Sequence, residues 1–124
     1  MRLLLDTQTV IWFADGAADL SADATAAIED PTNDVYVSAV VAWEIAIKRG
    51  TGKLTAANDY IAATLAAGGR ELPVAIAHAQ AVKKLPMHHR DPFDRLLVAQ
   101  ALCEDATLVT GDERIAKYPI AVLW

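Results

Sequence analysis

Leu3-Leu4-Leu5-Asp6-Thr7 is the stretch on which the fold turns. A half-solvated strand alternates apolar and polar residues, so three consecutive leucines read instead as a short strand buried on both faces, as in a parallel sheet covered by helices. The run stops at Asp6, which places an acid at the strand's carboxyl end, the edge of an open α/β sheet where ligands bind. Thr7 reads as the cap of a short helix over residues 7–14, with Val10, Ile11 and Trp12 as its apolar contacts and a secondary role beside a metal or phosphate.

Outward from there, strands and helices alternate. Residues 16–21 form a loop, and Ser21 opens a helix to about Asp30. A turn at 31–34 leads to a strand, Val35-Tyr36-Val37, and Ser38 caps a third helix carrying Val40, Val41, Trp43, Ile45 and Ile47. That helix reads as apolar nearly all round and therefore buried. Glu44 in its middle must then be neutral, salt-bridged to Lys48 one turn on, or bound to a cation. Gly50 and Gly52 end the helix, and Lys48, Arg49 and Lys53 form a basic cluster, either a solvated helix end or a contact to an RNA backbone. An alanine-rich helix is expected over 56–67, an edge strand at Glu71-Leu72-Pro73, and a helix over 75–84 on which His78 is packed or on the surface. Further strands are expected at 106–110 and 120–123. Between them Thr110-Gly111-Asp112-Glu113 resembles a capping box opening a short helix to Tyr118.

The remaining stretch, residues 89–101, places two carboxylates on the first turn of a buried helix. Asp91 stands where an N-cap belongs, Pro92 fits the first helical position, and Asp94 falls three residues after the cap. Asp94 also heads a stripe continued by Leu97, Val98 and Ala101, so it faces the core, where an ionised carboxylate needs a partner. Asp94 thus reads as a functional group and Asp91 as a cap. The fold expected from the whole pattern is a three-layer α/β/α sandwich around a mostly parallel sheet of about five strands, in one domain over residues 1–124.

A formal net charge of −5 and a pI near 5.0 argue against holding nucleic acid on a broad basic surface. A nuclease that grips its substrate through metal ions stays open. Hydrophobic residues make up 54% of the chain and mean hydropathy is +0.24, high enough for some apolar surface to belong to an oligomeric or partner interface. Cys103, the only cysteine, reads as a small core residue, which leaves no disulfide framework. Neither a signal peptide nor a membrane span is evident, and a cytoplasmic location is expected.

Asp6, Glu44, Asp94 and Asp112 come from four separate segments, each near a strand end or on a buried helix face, and a doubly wound sheet can bring them to one edge. An all-carboxylate set suits Mg²⁺ or Mn²⁺ rather than zinc, for which the three histidines and one cysteine lack ligand spacing. The His88-His89 pair is expected on the surface. Cations so held activate water and stabilise the leaving oxygen of a phosphodiester, and whether one ion or two is used stays open.

The chain also resembles PIN-domain ribonucleases, in particular the VapC-type toxins of VapBC toxin–antitoxin pairs. The resemblance rests on Leu-Leu-Leu-Asp-Thr (3–7) with Trp12, Ser-Ala-Val-Val-Ala-Trp-Glu-Ile-Ala-Ile-Lys (38–48) with Gly52-Lys53-Leu54, His89-Arg90-Asp91-Pro92-Phe93-Asp94-Arg95-Leu96-Leu97, and Leu-Val-Thr-Gly-Asp (108–112). It implies that Asp6, Glu44, Asp94 and Asp112 match the family's acidic quartet, both as metal ligands and as catalytic groups, with Asp91 just behind them. It further implies Mg²⁺-dependent cleavage of single-stranded or loop RNA, a homodimer, and inhibition by a cognate antitoxin. An Arg of that antitoxin would pair with the carboxylates in place of metal. Two other readings compete. A receiver-type phosphoacceptor domain would want an acid pair near the first strand and a lysine after the last, and residues 120–124 contain no lysine. A catalytically inactive PIN-like RNA-binding module would keep the same residues.

Overall fold

The computed structural model describes residues 1–54 and 58–124. Among them five strands run in the order β3-β2-β1-β4-β5: β1 (Arg2–Leu5), β2 (Asp34–Ser38), β3 (Arg70–Leu72), β4 (Thr107–Val109) and β5 (Val122–Leu123). Every pairing is parallel, with Leu4 opposite Tyr36 on one side and Leu108 on the other. Leu3, Leu4 and Leu5 have no exposed surface, so the central strand is covered on both faces as its unbroken apolar run requires.

Six α-helices make the outer layers of the α/β/α sandwich: α1 (Thr7–Asp15), α2 (Ala22–Glu29), α3 (Ala39–Gly50), α4 (Tyr60–Ala66), α5 (Ile76–Ala81) and α6 (Pro92–Glu104). Helix α1 packs on α4, α5 on α6, and α3 touches both α1 and α6. Ser21, Ser38 and Asp91 cap α2, α3 and α6 through their side-chain oxygens, the serines each taking one of the orphan amide protons of the first turn and Asp91 two. The chain leaves β1 toward β2 but leaves β4 toward β5, so the carboxyl ends of the adjacent strands β1 and β4 flank a topological switch point. No helix among the described residues is long and apolar enough to cross a membrane.

Several local expectations are corrected. Asp6, not Thr7, caps α1: its Oδ1 accepts the Thr9 amide proton at 2.8 Å, which frees the Thr7 hydroxyl for another partner. Helix α3 is not buried all round, because Trp43 and Ile47 are 58% and 40% exposed, and its apolar band is wider than the surface α1 and α6 cover. Cys103 is exposed, next to the exposed Leu102, with its Sγ 4.0 Å from the Ala77 carbonyl of α5. After β4 there is no α-helix; Asp112 accepts the Arg114 amide proton, and only a 3-10 turn over Ile115–Lys117 follows. The helix expected over 56–67 is seen as α4, and Ala56 and Ala57 at its expected start lie outside the described residues.

Candidate active site

At the switch point lies a cleft of about 530 Å³ lined by Asp6, Glu44, Asp94 and Asp112, with Asp91 at its margin. The four acids arrive by four routes. Asp6 ends β1, Glu44 projects from the second turn of α3, Asp94 from the first turn of α6, and Asp112 from the loop after β4.

Burial pushes the Asp6 carboxyl up and the Asp112 charge adds to the effect, over the opposing hydrogen bonds from Thr110 and Thr9. Asp94 is pushed up to about 7, first by burial and then by the charges of Asp91, Glu44, Asp6 and Asp112. Asp112 behaves differently. Partial burial raises it, but the side-chain and backbone hydrogen bonds of Arg114, with the Arg114 charge, outweigh burial and hold it below the ordinary carboxylate range. Like charges confined in this way resist full ionisation, the situation a hard divalent cation relieves.

The cleft carries its own counter-charges. Lys48 Nζ lies 2.9 Å from Glu44 Oε2, so the salt bridge that the i, i+4 spacing allows is formed, while the Thr7 hydroxyl donates to Glu44 Oε1 at 2.7 Å. Arg114 grips Asp112 in a fork, Nε to Oδ1 at 3.2 Å and Nη2 to Oδ2 at 3.0 Å. Among the described residues no buried side-chain nitrogen or oxygen lacks a hydrogen-bond partner.

His89 overturns the expectation of a surface histidine. It is 6% exposed, with Nε2 2.9 Å from Asp94 Oδ2 and 3.2 Å from Asp112 Oδ2. Its Nδ1 accepts the Asp91 amide proton at 3.1 Å, so the neutral ring carries its hydrogen on Nε2 and donates it between the two carboxylates. Among the described residues His89, Asp94 and Asp112 form one group whose ligand atoms all lie within 4.8 Å. An Nε2–H has no lone pair to offer a cation, so in this tautomer His89 ties the two acids together and leaves coordination to their oxygens. Asp6 and Glu44 line the same cleft without joining that tight group. The donor set is therefore hard oxygen, which fits Mg²⁺ or Mn²⁺.

The loop that brings His89 here is fastened by Arg95, another buried residue that the sequence did not single out. Arg95 donates to the carbonyls of Val82 and Pro86 and to the Tyr118 hydroxyl, and the same hydroxyl accepts the His89 amide proton at 3.0 Å. Of the basic cluster at the end of α3, Lys48 turns to Glu44, and Arg49 bonds the Asn58 carbonyl and lies over the Tyr60 ring. His78 is packed, as one of the two expectations had it, with its ring against Ala75, Gln100 and Glu104.

Comparison with known proteins finds chains of the same fold. The Rickettsia felis VapBC2 complex bound to a DNA fragment from its promoter contains a chain similar in fold, with a TM-score of 0.72 and 16% identity over 99% of this chain and 98% of that one. FitAcB of Neisseria gonorrhoeae gives 0.65 and 19% identity over 98% and 96% of the two chains. VapBC-1 of nontypeable Haemophilus influenzae gives 0.60 and 17% over 99% and 97%. No curated protein matches the sequence significantly. The family described as PIN domain matches residues 3–121, nearly the whole length, and the chain accordingly belongs to the PIN domain family.

Proposed function

We propose that this chain is a divalent-metal-dependent endoribonuclease and the toxin of a toxin–antitoxin pair. The observation that carries the reading is the convergence of Asp6, Glu44, Asp94 and Asp112 on one cleft, with Asp94 pushed up to about 7 by burial and by the other acids. Asp6, Asp94 and Asp112, with Glu44, are the residues that would hold Mg²⁺ or Mn²⁺. A cation bound there supplies Lewis acidity, acidifying water and stabilising the oxygen that leaves in phosphodiester hydrolysis. Thr7 orients the Glu44 carboxylate, and His89 keeps those of Asp94 and Asp112 together. Lys48 lines the cleft and Arg114 reaches it through its ion pair with Asp112. They now neutralise Glu44 and Asp112, and with those acids committed to a cation they would be free to pair with a phosphate.

The structural relatives are named as VapBC and FitAB assemblies, and the apolar surface of α3 gives this chain a place for a protein partner. Trp43 is 58% exposed and meets Phe93 of α6 edge-on at 5.0 Å, with Ile47 one turn further. An antitoxin helix laid on that patch, with an Arg entering the cleft beside it, and a homodimer in solution complete the reading.

The test is cleavage of a mixed single-stranded RNA with Mg²⁺, with EDTA, and with the Glu44→Gln variant. Cutting with Mg²⁺ alone and only by the native chain is expected, and activity surviving exhaustive chelation would sink the metal mechanism. Expression in cells should arrest growth, and co-expression of a small protein encoded beside this one should relieve it. An active nuclease whose expression is harmless would keep the enzyme reading and remove the toxin assignment.

A further inference from the structure

Two indoles border the acidic cleft. Trp12 lies on α1, six residues beyond Asp6, and Trp124 directly follows β5; both line the cleft, with ring centroids 5.9 Å apart and planes tilted by 46°. The Trp124 ring rests on the backbone of Gly111, the neighbour of Asp112. A Cβ at that position would stand 2.8 Å from its Cε2, 3.0 Å from Cζ2 and 3.1 Å from Nε1. The glycine thus lets the indole lie flat against the loop that carries one of the four acids. The hydrogen bond from the Thr110 amide to the Leu123 carbonyl, 3.2 Å, fixes the strand end that delivers Trp124. Trp124 still keeps 38% of its surface exposed, while Trp12 is half-buried behind it.

We propose that Trp124, backed by Trp12, is a stacking platform for an unpaired nucleobase adjoining the phosphodiester bound in the cleft. The proposal rests on the nuclease reading and names how a strand is held there. A polyanion approaching this chain meets a net charge of −5 and four clustered carboxylates, so broad phosphate neutralisation is not the source of affinity. Base–aromatic stacking carries no charge cost and accepts any base, because every base has a π-face. A sandwich between the indoles is excluded: at 5.9 Å and 46° they already touch and leave no parallel slot. The base therefore lies on the part of the Trp124 ring that Gly111 and Trp12 leave uncovered, and Trp12 braces that ring. Gly111, on which the ring rests, directly precedes Asp112, and Asp112 and Trp124 line the same cleft, so a base adjoining a phosphodiester bound there comes within reach of the ring. A base-paired strand cannot offer that face, so the platform selects unpaired segments.

The test compares two fluorescein-labelled octamers in Ca²⁺, one of uridylates and one of abasic ribose phosphates, by anisotropy, each checked intact after titration. The uridylate octamer should bind the native chain roughly ten-fold tighter, within the range that stacking of a single base gives. Trp124→Leu should bring that ratio to about one without changing the abasic affinity, and Trp124→Phe should keep most of it. Should Trp124→Leu fold poorly, indole emission of the native chain decides, quenched by the uridylate octamer and not by the abasic one. A native ratio near one, a ratio surviving in Trp124→Leu, or equal quenching by both octamers would overturn the platform. Abasic binding without base dependence removes the platform alone, whereas binding of neither octamer removes the nuclease reading with it.

Discussion

A carboxyl group pushed to about 7, as Asp94 is by burial and the charges of Asp91, Glu44, Asp6 and Asp112, takes up a proton on folding at any pH between its unfolded value near 4 and 7. The folded state then binds more protons than the unfolded one, so this contribution to stability is full below about pH 4 and lost as pH rises toward 7. Over about three pH units that amounts to on the order of 4 kcal/mol. Asp94→Asn should therefore melt above the native chain at pH 7.5 without divalent cations, with the difference vanishing near pH 4; equal melting temperatures at both pH values would contradict the assignment. The same variant should lose cleavage by orders of magnitude. Asp91→Asn should keep the cap, since one Asp91 oxygen accepts the Phe93 and Asp94 amide protons at 2.8 and 3.2 Å and Asn caps equally well. Its cleavage rate should stay near the native level, with the Asp94 titration moved to lower pH by loss of the neighbouring charge. If Asp91→Asn is the dead enzyme instead, the roles of the two aspartates are reversed. His89 is tested by a pair of substitutions: Gln places an N–H near the Nε2 position and should retain metal affinity, while Asn reaches only as far as Nδ1 and should weaken Mn²⁺ binding about ten-fold or more, as losing such a supporting partner does. Isothermal titration of both variants with Mn²⁺ makes the comparison.

Helix ends were legible in the sequence where their chemistry is local. Ser21, Ser38 and Asp91 cap because a short polar side chain reaches amides two or three residues on, and the triple leucine of β1 needs no distant information to be read as buried. The acids of the cleft were legible for a related reason, since each sits at a recognisable strand end or on an apolar helix face. The misses involve partners far along the chain. Thr7 reads in sequence as a cap, but its hydroxyl answers Glu44, 37 residues away, and His89 reads as a surface residue though it meets Asp112, 23 residues away. Nothing near His89 in sequence announces either contact. Cys103 and Trp43 were misplaced because α6 and α3 carry more apolar residues than their neighbours cover. At the end of α6, Asp105 adopts φ 52°, a left-handed conformation that costs a β-carbon energy and glycine none. Asp105→Gly should raise stability by about 0.5–1 kcal/mol, read as a melting temperature a few degrees higher with cleavage unchanged. A lower melting temperature would mean that the Asp105 side chain contributes more than its backbone costs.

For the molecule as a whole, a ligand that binds only the folded chain stabilises it by mass action, about 2.7 kcal/mol at a hundred times its Kd. Mg²⁺ should accordingly raise the melting temperature by several degrees over EDTA, and this increment should disappear in Asp94→Asn; a variant that keeps the full increment would place the cation elsewhere. The sheet order has a further consequence for the making of the protein. Of these five strands β1 is made first and is the middle strand of the sheet, and its neighbour β4 begins only at Thr107. Vectorial synthesis at about 5–20 residues per second therefore leaves Asp6 waiting for several seconds before Asp112 exists. A nascent chain cannot carry the complete set of acids until Asp112 has emerged, and the cleft forms only once β4 and the loop after it have been made. On the proposed reading, topology alone thereby withholds the activity until the last of the four acids has been made.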